Sequence, residues 1–108
     1  MKVMRPTKEI LQDIAQFHPV DGLWLPLDHL LSELWSVGQP PSESLSVLFG
    51  VFERFPEDDG AGVFWTIVHC IEGLPYDYEP LLRESYSRVP SEMANVMLIR
   101  LANAAKED

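Results

Sequence analysis

The stretch SESLSVLFGVFERFPEDDGAGVFWTIVHCIE, residues 42–72, decides the fold because it encodes two amphipathic helices with a loop between them. In its first half, Ser42 suits a helix N-cap, and the apolar residues that follow recur at helical spacing on one wide face. Pro56 ends this helix, and residues 57–60 form a loop. The second half predicts a helix over residues 61–72 with one buried face. The two buried faces comprise Leu45, Leu48, Phe49, Phe52 and Phe55, then Phe64, Ile67, Val68 and Ile71.

The other segments repeat this pattern of helices separated by proline or glycine. Thr7 suits the N-cap of a first helix, and Pro26 fits the first turn of a second. A fifth helix begins near Pro80, and Ser91 suits the N-cap of a sixth. We therefore expect an all-α fold of five to six short antiparallel helices, packed as a small bundle or a short α-solenoid-like stack of helical hairpins. The length predicts one helical domain over residues 1–108, with 1–6 and 106–108 frayed.

The charge of the chain is unevenly distributed. Seventeen acids and eight bases give a net charge of −9, and residues 9–82 alone hold thirteen acids and one base. This concentration repels nucleic acid and anionic membranes and favours a basic protein partner, although it also suits a merely soluble surface. No apolar run reaches the ~20 residues that span a bilayer, and the N-terminus lacks the apolar stretch of a signal peptide. We therefore expect a cytoplasmic protein with neither a nucleic acid nor a membrane as its partner.

The sequence offers little for catalysis or metal binding. It contains no GxGxxG, P-loop, HExxH or GxSxG motif. The single cysteine, Cys70, excludes an internal disulfide. Its neighbour His69 points about 100° away from it on a helix, which disfavours both a zinc site and a catalytic dyad. We expect no enzyme activity, no metal and no cofactor.

Three adjacent acids, Glu57, Asp58 and Asp59, precede Gly60 in the predicted loop. A calcium-binding EF-hand loop starting at Glu57 would need an acid at its twelfth position, which is Val68, so the calcium pattern fails. General acid–base catalysis needs two carboxylates in different environments, whereas neighbouring loop acids share a solvated one. The loop is therefore either simply solvated or faces a partner.

Trp65, His69 and Glu72 share one face of the predicted fourth helix, because they are spaced i, i+4 and i+7. This face differs from the apolar one. Two interpretations stay open. Either Trp65 is a buried anchor beside a satisfied core histidine, or the three residues form an aromatic and polar binding face continuous with the acidic loop.

The connector Tyr76-Asp77-Tyr78-Glu79 follows this helix and is rich in tyrosine and acid. Loop tyrosines are rigid anchors that are enriched at protein interfaces, and they also pack over the ends of helix hairpins. The connector is thus a second candidate for partner contact, and the fourth helix links it to the acidic loop.

Four motifs stand out between Phe52 and Leu101: ERFPEDDGAG at 53–62, W-x3-H-x2-E starting at Trp65, YEP at 78–80 and PSE at 90–92. This region resembles a family of small bacterial immunity proteins that are encoded beside polymorphic toxins, such as contact-dependent inhibition or Rhs-type toxins. The resemblance covers about half of the chain, and residues 25–105 more loosely. It implies a non-catalytic inhibitor that binds one cognate toxin domain and blocks it.

Charge and resemblance together favour an immunity protein that occludes the active site or substrate groove of a toxin's C-terminal domain. That domain is expected to be basic, with nucleases among the activities it fits, and the oligomeric state stays open.

The alternative is a non-catalytic adaptor or structural domain of a larger assembly, which predicts an apolar, salt-insensitive interface. A third hypothesis, a small hydrolase or metal-dependent enzyme using Glu57, Asp58 and His69, predicts turnover or metal-dependent stability. The residues expected to contact the toxin are Glu57, Asp58, Asp59, Trp65, His69, Glu72, Tyr76, Asp77 and Glu79.

Overall fold

The computed structural model describes residues 5–106, and this part of the chain is all-α, as predicted. Six α-helices follow one another, and a short 3-10 turn, Gly60–Gly62, precedes the fourth. No residue in this range lies in a β-strand. The helices are α1 Thr7–Gln16, α2 Leu25–Ser36, α3 Ser44–Arg54, α4 Val63–Glu72, α5 Glu79–Arg88 and α6 Glu92–Lys106.

The central helix is α3, which packs against α1, α4, α5 and α6. The sequence neighbours α1 and α2 pack together, and so do α5 and α6, so these two pairs form helical hairpins. The helix α4 packs against α2, α3 and α6. On α4, the predicted site residues Trp65 and His69 are exposed, and Glu72 is half-buried.

The core lies on the apolar faces that the sequence predicts. Phe49, Phe52 and Phe64 are almost completely buried, and the ring of Phe52 lies 6.4 Å from that of Phe49 and 5.5 Å from that of Phe64. Each such side chain contributes about 1.5–3 kcal/mol through burial. The contacts of α3 with α4 therefore hold the intervening loop from both sides.

The helix ends differ from the prediction at two serine or threonine positions and agree at one. Thr7 is the first residue of α1, and the capping position is Pro6, which makes no side-chain bond. Ser42 lies two residues before α3, and no side chain caps that helix. Ser91 does cap α6, since its Oγ accepts a hydrogen bond from the Ala94 N–H at 3.1 Å. The predicted caps Thr7 and Ser42 are wrong because the chain enters both helices through backbone turns.

The terminal residues 1–4 and 107–108, for which we predict fraying, lie outside the described residues. Within the described range, the guanidinium of Arg5 donates to Glu33 at 2.8 and 2.9 Å and to Asp13 at 2.6 Å. Lys106 is the last residue of α6. The segment before α1 is thus fastened to α1 and α2 by ion pairs.

Candidate functional site

The acidic loop, residues 57–59, is held by its own carboxylates. Asp58 Oδ1 accepts a hydrogen bond from the Gly60 N–H at 2.9 Å, and Asp59 Oδ1 accepts one from the Ala61 N–H at 3.1 Å. All three acids are exposed, and none pairs with a basic side chain of residues 5–106. The structure therefore fixes the loop while leaving its negative charge uncompensated.

The turn that follows the loop is built on left-handed backbone. Gly60, Ala61 and Gly62 have φ angles of 58°, 51° and 92°. Gly60 is buried, and a Cβ there would lie 2.7 Å from the ring of Phe64 and 3.3 Å from that of Trp24. The predicted helix 61–72 consequently begins at Val63, because the three residues before it turn the wrong way for a helix.

The exposed face of α4 carries Trp65, which is 39% exposed. The interpretation of Trp65 as a buried anchor is therefore wrong. Its indole lies 6.2 Å from the imidazole of His69 at an interplanar angle of 33°, and His69 is itself exposed. Glu72 accepts two hydrogen bonds from Arg100 on α6, at 2.7 and 2.9 Å. Trp65 and His69 thus remain available to a partner, whereas the Glu72 carboxylate is already paired.

In the connector between α4 and α5, the Tyr76 side chain is hydrogen-bonded to another loop, whereas the Asp77 side chain is exposed. The Tyr76 hydroxyl donates to the Pro40 carbonyl at 2.8 Å and accepts from Gln39 at 3.2 Å, so it ties the connector to the loop before α3. Asp77 is exposed, and its carboxylate accepts from the Glu79 N–H at 3.3 Å. Glu79 itself pairs with Arg83 one turn later, at 2.9 Å.

Tyr78 packs partly into the bundle beside the ion pair of Glu72 and Arg100. It lines, with that pair, a surface cavity of about 310 Å³ between α4, the connector and α6. Burial and the nearby Glu72 carboxylate raise the pKa of the Tyr78 phenol. The Tyr78 hydroxyl therefore stays protonated at neutral pH.

Folding changes the charge distribution that the sequence indicates. Four arginines from outside residues 9–82 form ion pairs with acids inside that range: Arg5 with Glu33, Arg83 with Glu79, Arg88 with Glu53 and Arg100 with Glu72. The two flanking segments thus neutralise part of the acidic middle. The acids that keep no ion pair within residues 5–106 are Asp21, Asp28, Glu43, Glu57, Asp58, Asp59, Asp77, Glu84 and Glu92.

The structure also brings the loop between α1 and α2 against the acidic loop, which the sequence analysis misses. Trp24 is buried, and its ring lies edge-on to Phe55 at 5.1 Å and to Phe64 at 5.2 Å. Residues 20–25, which include the first residue of α2, and residues 57–60 meet where Gly60 lies against Trp24, and we call the exposed residues of these two segments the loop end. In the sequence, apolar residues flank the Asp21-Gly22 turn and could have indicated an exposed apolar site. Only the position of Trp24 in the structure connects these residues to the acidic loop.

Nothing in the described structure adds a metal or nucleophilic centre. Among residues 5–106, no group of three or more histidine, cysteine, aspartate and glutamate side chains is placed to hold a metal ion. Burial, together with the charge of Asp28, raises the pKa of the Cys70 thiol, which makes it a weak nucleophile at neutral pH. Likewise, none of the helices in this range combines the length and apolar character needed to cross a membrane.

The chain was compared with models of protein families, with curated proteins and with solved structures. No match was found in any of the three comparisons.

Proposed function

We propose that this protein is an immunity protein that binds the C-terminal domain of a cognate bacterial toxin and blocks its active site or substrate groove. The toxin domain is basic, and binding takes place in the cytoplasm without a metal, cofactor or chemical step. The proposal draws its partner class from the resemblance over residues 52–101 and its mechanism from the charge of the surface.

The observation that carries the proposal is the uncompensated acidic loop. Within residues 5–106, four arginines pair with acids elsewhere, whereas the three adjacent acids Glu57, Asp58 and Asp59 have no ion pair and lie on a loop with a fixed backbone. A rigid anionic loop suits a partner rich in lysine and arginine, such as an enzyme that binds phosphate groups. The neighbouring exposed Trp65 offers the amphipathic aromatic surface that interfaces favour.

Electrostatic attraction raises the association rate constant, and protection against a toxin requires fast association. Complementary charges raise association rate constants from about 10⁵–10⁶ M⁻¹s⁻¹ to about 10⁸–10⁹ M⁻¹s⁻¹ at low salt. Protection also needs a nanomolar or tighter complex, which corresponds to about −12 kcal/mol. Much of that free energy must come from desolvated contacts, because charge alone supplies on-rate and specificity more than affinity.

The test is to tag the full chain, capture its partner from native cells at low salt and identify that partner by mass spectrometry. We expect one basic toxin C-terminal domain, whose toxicity the chain suppresses when the two are expressed together. Recovery of a housekeeping assembly, or of a toxin domain that stays toxic on co-expression, would contradict the proposal and favour the adaptor.

A matched pair of double variants then tests the acidic loop. E57Q/D58N removes two charges, and asparagine keeps the Oδ1 acceptor that closes the turn on Gly60. E43Q/E84Q removes two exposed acids that make no ion pair within the described residues and lie outside the loop. We expect the first variant to bind the captured domain at least about tenfold more weakly at low salt, and the second to stay within about twofold of wild type. Equal losses in the two variants would show that total charge, and not this loop, governs binding.

A further inference from the structure

We propose that the loop end is the docking surface, with Val20, Leu23 and Leu25 as its apolar centre and Glu57 and Asp58 at its charged rim. The partner that fits it is a basic protein with an apolar patch bordered by lysine and arginine. This inference rests on the proposed function and adds the surface and the complementary chemistry of the toxin domain.

Three large apolar side chains within six residues are exposed. Val20 is 69% exposed, Leu23 61% and Leu25 59%, which are the highest exposures among the large apolar residues that the structure describes. Single exposed apolar residues are common on protein surfaces, but a contiguous group of them indicates a binding site.

The backbone presents the side chains of Val20 and Leu23 in one fixed arrangement. The Leu23 N–H donates to the Val20 carbonyl at 3.0 Å, and Asp21 and Gly22 have φ angles of 53° and 73°. Two positive φ angles in a hydrogen-bonded turn define the tight type I′ geometry. Val20 and Leu23 pair across an antiparallel bridge, so their side chains stand on the same side of the turn.

The apolar turn and the acidic loop share Trp24 as their support. Trp24, directly after Leu23, packs on Phe55, Phe64 and Phe17, and the first of these lies between the end of α3 and the acidic loop. Gly60, directly after the loop, lies against the same indole. The two loops are therefore ordered before a partner arrives, which lowers the entropic cost of binding.

The charges around the turn select the class of partner. Asp21 lies within the turn, Glu57 and Asp58 lie in the acidic loop that shares the Trp24 support, and none has an ion pair among residues 5–106. A second copy of this chain, with its net charge of −9, would bring acids against acids. Nucleic acid and anionic lipid are repelled for the same reason. A basic protein is the occupant that satisfies both the apolar centre and the acidic rim, which is the usual anatomy of a protein interface.

The experiment places the photo-crosslinking residue p-benzoyl-L-phenylalanine at one position of the full chain at a time in native cells. The test position is Leu23, and the controls are Val37 and Ile99, which are exposed apolar residues at the end of α2 and on α6. We expect position 23 to crosslink to a basic protein, at a peptide in which an apolar residue lies among lysines and arginines. The controls should give little or no crosslink to that protein.

A second measurement uses Leu23→Ser, which changes an exposed side chain and so leaves the fold intact. We expect it to weaken binding to the crosslinked protein by about tenfold at both low and high salt, since the lost contact is apolar. The matched control Ile99→Ser should stay within about twofold of wild type.

The outcomes separate this inference from the proposed function. A crosslink from position 37 or 99 in place of 23, a crosslink to a second copy of the chain, or no crosslink at 23 overturns the docking surface, even if the chain still suppresses a toxin. A crosslink from 23 to a basic protein that is not a toxin supports the docking surface and overturns the immunity function.

Discussion

At the scale of single residues, Gly60 shows how one position joins the fold to the candidate site. Its φ of 58° favours glycine, and its missing side chain lets Trp24 and Phe64 pack closely beneath the acidic loop.

We expect Gly60→Ala to lower the free energy of unfolding by about 2–4 kcal/mol, from left-handed strain plus overpacking. Gly62→Ala is the matched control, since its φ is 92° but nothing lies within 4 Å of the added Cβ. We expect this control to lose only about 1 kcal/mol. Urea denaturation measures both, and equal losses would contradict the packing argument.

Glu53 is one of the carboxylates that couple stability to acid pH. It accepts from Arg88 at 3.0 and 3.1 Å and from Ser85 at 2.8 Å. The Arg88 hydrogen bonds, aided by Ser85 and opposed by partial burial, hold the pKa of Glu53 below its ordinary 4.5. A carboxylate with a lowered folded pKa stabilises the protein above its unfolded pKa, and this stabilisation is lost as the pH falls through the folded value.

We therefore expect the stability of the wild type to decline below about pH 4.5, and Glu53→Gln to be less stable at pH 7 with a shallower decline. Arg88→Met should flatten the decline in the same way, and the double variant should add little, because the two side chains act as one pair. Unfolding followed by circular dichroism from pH 7 to pH 3 measures this. A decline as steep in Glu53→Gln as in the wild type would assign the acid sensitivity to other groups.

At the scale of helices, the apolar periodicity predicts all six elements, because each helix buries one face against α3 or its neighbours. Helix ends are predicted less well. Ser42 and Ser91 suit a cap equally in the sequence, but only Ser91 is buried and bonded to Ala94. The left-handed turn before α4 is equally hard to predict from the sequence, because Ala61 has a φ of 51° and alanine disfavours left-handed backbone.

The two serines give a direct test of this difference. We expect Ser91→Ala to lose about 1 kcal/mol of stability, because the Ala94 N–H loses its acceptor at a buried helix end. Ser42→Ala should stay within about 0.5 kcal/mol of the wild type, since Ser42 is exposed and caps nothing. Chemical denaturation of both variants measures the effect, and a larger loss at position 42 would place the cap where the sequence alone suggests it.

At the scale of the whole molecule, the candidate site was only partly accessible to sequence reasoning. Charge, helical spacing and resemblance predict nine site residues, and the acidic loop and Trp65 do lie exposed. Long-range pairing decides the state of Glu72 and Tyr76: Arg100 neutralises Glu72, and the Pro40 carbonyl accepts from the Tyr76 hydroxyl. Such partners lie 28 and 36 residues away, so no local pattern indicates them. The packing of the two loops on Trp24 cannot be predicted from a local pattern either, because it also joins residues that are far apart in the sequence.

The central claim is that this acidic surface captures a basic partner by electrostatic attraction. The most direct measurement is the association rate constant between the chain and the captured toxin domain, followed by stopped-flow fluorescence at increasing salt. We predict a fall of more than about tenfold between ~20 mM and ~500 mM salt, with a shallower slope for E57Q/D58N. A rate that does not change with salt would contradict the account and leave the apolar contact of an adaptor as the better explanation.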